Sequence, residues 1–152
     1  MISTNHVQKN SIGILVSPGF TENEVVYCLS QMRALGLPVS LVGLSSGLVK
    51  SQRGLHIKPD LALSGLAEAA AFQMLIIPGS YECVTNLLVS PDFHTHVEKS
   101  IARGGRIAVL ASGEAALHQV APFVSPTEQI LYQQEQTLEP FCQQLIQIAT
   151  TL

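Results

Sequence analysis

Apolar residues in this chain fall into short blocks separated by stretches of helical periodicity. Ile12 to Val16, Val39 to Leu44, Met74 to Ile77 and Ile107 to Leu110 are runs of strand length, and Ile130-Leu131-Tyr132 adds a shorter one. Between the first two, Val25, Val26, Leu29 and Met32 recur at helical spacing from Glu22 to Leu35, and Gly36 supplies a stop. Alternating residues broken by glycine and proline from Ser45 to Pro59 predict a small hairpin excursion. A helix is expected over 92–102, with Pro91 in front and Gly104-Gly105 behind, and a glutamine-rich helix over 138–148. Strand and helix alternate, so the expected class is α/β: a mostly parallel sheet with helices on both faces.

Composition sharpens this picture. A chain of 152 residues, 47% hydrophobic and 12% charged, suits one domain over 11–152 with a large core, behind a flexible polar leader at 1–10. The scarcity of charge leaves apolar surface that a partner would cover. A net charge of -3 gives no reason to expect nucleic-acid binding. No run approaches a membrane span, and the start MISTNHVQKN lacks a signal-like apolar core, so a cytoplasmic location is expected. Cys28, Cys83 and Cys142 lack metal-ligand spacing and read as reduced thiols, so no metal and no cofactor are expected. Neither a GxGxxG nor a GxxxxGK[ST] loop is present, and Ser17-Pro18-Gly19 stands where a response regulator needs paired acids.

Ligands of such sheets bind at the carboxyl ends of strands. Three loops of unusual composition fall there: SPGFTENE, PGSYEC and ASGE. The last belongs to RIAVLASGEAAL, residues 106 to 117, a strand that turns sharply into a helix. That form can expose a nucleophile beside free helix N–H groups. Its apex, however, is Ala111, which can neither attack nor carry a proton.

ILVSPGFTENE, RGLHIKPD, FQMLIIPGSYECVTNL and RIAVLASGEAAL, in that order, resemble the ThiJ/PfpI superfamily and its class-I glutamine-amidotransferase-like fold. The resemblance implies a flavodoxin-like three-layer sandwich and a homodimer. It places Glu24 where a carboxylic acid contacts the elbow cysteine, and Ala111 on that cysteine itself. Ser80 takes the place of the second glycine of a Pro-Gly-Gly loop, whose amide serves an oxyanion. Members also draw a histidine from a segment after the elbow helix; here only APFVSPT separates that helix from EQILYQQEQTLEPFCQQLIQIATTL. With nucleophile and base both missing, the expectation is a catalytically degenerate domain with a binding, regulatory or scaffold role, and Glu24, Gly79, Ser80, Ala111, Ser112 and Arg53 as its small-molecule contacts. The alternative is an active hydrolase, glyoxalase or deglycase using Glu24 with Cys83, Ser112 or a partner subunit's residue. Among these, Ser112 reads as an N-cap, Cys83 as a loop thiol whose pKa is raised by Glu82, and Arg53 as either an anion-attracting residue at the pocket mouth or plain surface. His94 and His96, two apart on a helix, point to different faces and make a weak metal pair; His118 reads as surface.

Overall fold

The computed structural model describes residues 11–66, 72–119 and 128–151. The expected leader at 1–10 and the APFVSPT segment lie outside the described residues. Strand β1 (Ile12–Val16) leads through helix α1 (Glu22–Ala34) to β2 (Val39–Gly43). Next come the antiparallel pair β3 (Val49–Lys50) and β4 (His56–Ile57), the short strand β5 (Leu61–Ala62) and a 3-10 turn at Leu63–Gly65. Then follow β6 (Met74–Ile77), α2 (Tyr81–Leu88), α3 (Pro91–Ala102), β7 (Arg106–Val109), α4 (Ala111–Gln119), β8 (Ile130–Tyr132) and α5 (Leu138–Thr151).

The main sheet runs β5-β2-β1-β6-β7-β8, with every pairing parallel. The uninterrupted apolar runs explain this: strands buried on both faces carry no polar alternation, and β1 and β6 are buried at every position. The chain leaves β1 in one direction for β2, then returns past it to β6 and continues the other way. The switch in direction opens a crevice beyond the carboxyl ends of β1 and β6. α1 packs against α5, whereas α2 contacts α3 and α4, and α3 lies on β6 and β7.

Local chemistry sets several element limits. Pro91 is the first residue of α3 rather than its predecessor, and the Ser90 hydroxyl caps the Phe93 amide. Of the expected α1 stripe, Val25 and Met32 are buried with Cys28, but Val26 is half exposed. It follows Val25 directly, so a 100° step turns it off the core. PGSYEC is a loop only as far as Ser80, because α2 begins at Tyr81.

Buried His96 ties α3 to the 3-10 turn through the Leu63 carbonyl, while its Nδ1 has no hydrogen-bond partner. Burial, with Lys99 adding to it, holds its pKa below the usual histidine value, against a smaller opposing effect of Asp92. The unfolded chain therefore takes up this proton first. His96's contribution to stability is expected in full above about pH 6.5. It should be lost as pH falls from there toward the folded-state pKa, at no more than about 1.4 kcal/mol per pH unit. Urea titrations across pH on the parent and His96→Gln should show that slope in the parent alone; equal slopes would refute it.

Candidate functional site

Three loops meet at the crevice, each for a reason visible in the sequence. Gly19, at φ 89°, turns the chain from β1 into α1, and the Thr21 amide then donates to the Gly79 carbonyl at 2.8 Å. Pro78-Gly79-Ser80 joins β6 to α2, with a cis Gly79–Ser80 peptide bond. Leu110 alone separates β7 from α4. The second and third loops touch: a Cβ on Gly79 would strike Ser112, and one on Gly113 would lie 3.0 Å from the Pro78 carbonyl oxygen.

Glu24 is the centre of this junction. It lies in the first turn of α1 and is only 6% exposed. One carboxylate oxygen accepts the Gly79 amide at 2.9 Å and the Ser112 hydroxyl at 2.6 Å; the other accepts the Ser112 amide at 3.3 Å. Three donors from two other loops therefore converge on the acid, two of them backbone amides. Ser112 is correspondingly not an N-cap. α4 starts at Ala111, so Ser112 lies inside the first turn, and its hydroxyl serves Glu24 with Thr21 Oγ1 3.2 Å away.

Ala111 is exposed, and its amide donates to Gln133 Oε1 at 2.8 Å. Gln133, buried just after β8, turns its other end to the Gln136 carbonyl at 2.9 Å. Glu114 completes this cap from the other side by accepting the Gln134 amide at 2.7 Å. Among the described residues, positive φ at a non-glycine residue occurs at Gln134 (56°) and not at Ala111. The corner thus lacks the strained backbone of a nucleophile elbow. The Ala111, Ser112 and Gly79 amides, three of the backbone donors at this corner, are each engaged by a side chain of the chain itself.

The remaining candidates sit further out. The Ser80 hydroxyl donates to the Gly19 carbonyl at 2.7 Å, binding the second loop to the first. Arg53 lies at the mouth: with Thr21, Glu22, Asn23 and Gln52 it lines an open cleft of about 430 Å³. Thr21 is the wall shared with Ser112. Glu22 pins this rim, accepting the Ser51 hydroxyl at 2.6 Å and the Arg53 amide at 2.8 Å. The Ser51 bond in particular holds the Glu22 carboxyl below its usual range. Cys83 is buried on α2, not in a loop, and its thiol is pushed up to about 11. Burial is the main cause rather than Glu82, and the hydrogen bond from Ser17 Oγ, 3.1 Å from the sulfur, pulls the other way. Such a thiol is poorly nucleophilic near neutral pH. His94 turns its Nε2 to the Leu88 carbonyl at 2.7 Å while His96 points to the 3-10 turn. The side chain of His118 lies outside what the structure describes. No metal-binding cluster occurs among the described residues. Nor is any helix among them long and apolar enough to cross a membrane.

Sequence reasoning missed Gln133 and Glu22. Gln133 carried no signal of its own: only the pairing of Val109 with Tyr132 sets the residue after β8 beside the one that leads into α4.

Comparison with known proteins bears on the family and the fold. The pattern of the DJ-1/PfpI family matches residues 10–122. A Parkinson disease protein 7 homolog of Danio rerio is 28% identical over 105 residues, covering 68% of this chain and 56% of that protein. A Caenorhabditis elegans protein named glutathione-independent glyoxalase DJR-1.2 is 29% identical over 110 residues, covering 72% of this chain and 58% of that one. The matched region thus spans less than three fifths of either relative. Among solved structures, oxidized Toxoplasma gondii DJ-1 superposes with a TM-score of 0.77 at 18% identity, covering 91% of this chain and 89% of that one. Drosophila melanogaster DJ-1beta gives 0.74 at 18% identity over 91% and 89%. At such identities these two show the fold alone, a flavodoxin-like sandwich.

Proposed function

This chain belongs to the DJ-1/PfpI family, and from that premise we propose that it is a catalytically degenerate member with a binding, regulatory or scaffold role. One observation carries the reading: the Gly79, Ala111 and Ser112 amides are already taken by Glu24 and Gln133, and the apex residue is alanine. A tetrahedral intermediate would have to displace two of the protein's own acceptors before gaining these three donors. The absence of the histidine segment that the resemblance implies supports the same reading. Small molecules would bind in the cleft at Thr21, Gln52 and Arg53 rather than at Ala111.

The test is turnover. The purified protein should leave methylglyoxal and a panel of amides and peptides at the buffer rate. Activity that Glu24→Gln abolishes would overturn the reading. Ala111→Cys should place an exposed thiol at the apex that iodoacetamide alkylates. General-base catalysis supplies about 10²–10⁴ in rate. The variant, lacking that base, should therefore stay at least a hundredfold below a cysteine–histidine enzyme. Full turnover by it would contradict the proposal.

One contact favours a second reading. Ser112 is exposed and its hydroxyl lies 2.6 Å from Glu24, the arrangement a serine nucleophile with a carboxylate base would need. Under that reading, the related glyoxalase's chemistry would pass through Ser112, and Ser112→Ala would remove all turnover.

A further inference from the structure

The crevice and the open cleft beside it are finished in opposite ways. Around Glu24 the Gly79, Ala111 and Ser112 amides are all engaged. In the cleft, the Asn23 and Gln52 carboxamides and the Arg53 guanidinium have no hydrogen-bond partner among the described residues. Their backbone is nonetheless fixed. The Gln52 amide donates to the Phe20 carbonyl and the Arg53 amide to Glu22 Oε2, each at 2.8 Å. The Ser51 hydroxyl donates to the same oxygen at 2.6 Å and accepts the Leu55 amide at 2.8 Å. The tip of the β3–β4 hairpin is thereby fastened to the first turn of α1, which keeps the cleft in shape for a ligand. Opposite charges share this cleft. The Arg53 side chain leaves a backbone whose amide touches the Glu22 carboxylate, yet the two side chains form no ion pair with each other. Both bonds to the hairpin use Oε2, so Oε1 accepts none from it. The Ser51 bond chiefly, and Arg53 with it, keep Glu22 ionised near neutral pH. An anion drawn to the guanidinium would meet the carboxylate, and a cation drawn to the carboxylate would meet the guanidinium. A molecule that carries both charges close together gains from each.

Resting on the reading that small molecules bind in this cleft, we propose that its ligands are α-amino acid zwitterions with a polar side chain. The α-carboxylate lies on the Arg53 guanidinium, whose paired N–H groups match two carboxylate oxygens. The α-ammonium donates to Glu22. Thr21, Asn23 and Gln52 offer a hydroxyl and two carboxamides, each able to donate and accept, to the ligand's side chain. Small-molecule pockets are usually lined by apolar and aromatic side chains; none lines this one, so an aliphatic ligand gains little here. Binding makes and breaks no covalent bond, as a sensing or carrying domain requires.

Calorimetric titration of the full chain with L-serine and L-asparagine tests this, with N-acetyl-L-serine, L-serinamide and L-leucine beside them. Serine and asparagine should bind saturably, one molecule per chain, and leucine more weakly than both. Masking either charge of serine should weaken binding about tenfold or more, the usual worth of a hydrogen bond to a charged group. Arg53→Gln should bring serine down to the level of serinamide and leave serinamide unchanged. Glu22→Gln keeps an oxygen for Ser51 and Arg53, and should bring serine down to the level of N-acetylserine. Should that variant loosen the hairpin, the masked ligands and Arg53→Gln decide. No saturable heat from serine or asparagine, masked ligands that bind as tightly as serine, or full affinity in Arg53→Gln would each overturn the proposal. Tight binding of the masked ligands would still leave the cleft a small-molecule site, whereas turnover of methylglyoxal would overturn the degenerate reading alone.

Discussion

Replacing Glu24 by alanine is expected to lower the unfolding free energy by about 3 kcal/mol and Tm by roughly 5–10 °C. The loss comes from donors rather than from charge. The buried Gly79 amide, the Ser112 amide and the Ser112 hydroxyl all turn toward this carboxylate, and alanine would strip each of its acceptor. An unsatisfied buried donor costs about 1–3 kcal/mol, although water can reach part of the exposed Ser112 group. Glu24→Gln keeps one oxygen but presents an NH₂ to a donor, so about half the loss is expected. Urea denaturation of the three proteins measures this. An unchanged or stabilised Glu24→Ala protein would mean that the acid is held for a ligand instead of for the fold, as functional carboxylates often are.

Gly79→Ala should be of similar severity for a different reason. A methyl group there would lie 2.6 Å from Ser112 Cβ and 2.7 Å from its carbonyl carbon. Backbone cannot yield as a flexible side chain can, so either β6 and α2 or the start of α4 must shift. Overpacking of this kind costs about 1–3 kcal/mol, and the disturbed Glu24 bonds place this case at the upper end. Gly47→Ala is the control. No atom lies within 4 Å of a Cβ there, and the backbone is not left-handed, so the change should be neutral or stabilise by up to about 1 kcal/mol. Equal midpoints for the two variants would remove the steric argument.

The contrast between these loops and the strands explains which parts of the molecule could be read from its amino acids. Buried parallel strands betray themselves as unbroken apolar runs, and β1, β2, β6, β7 and β8 all lie where such runs predict. β5 and the turn at Leu63–Gly65 gave no signal, because two residues are too few for any period and the pairing of Leu61 with Val42 supplies the order. α2 was hidden in what reads as the PGSYEC loop: its eight residues follow directly on the Pro-Gly turn. Within the crevice, Glu24, Gly79 and Ser112 were recognisable as neighbours, but their bonding was not. Whether an acid waits for a ligand or fastens three loops depends on distances of a few tenths of an ångström. Gln133 shows the same limit: a glutamine in a glutamine-rich stretch becomes a cap on Ala111 only through the alignment of β8 with β7.

The main sheet ends in β5 on one side and β8 on the other, two and three residues long. Strands so brief offer a neighbouring molecule hardly any unpaired backbone to zip onto. The six-stranded core is therefore poorly suited to seed fibrils or to grow by strand addition, even though its interior is as apolar as an aggregation-prone segment.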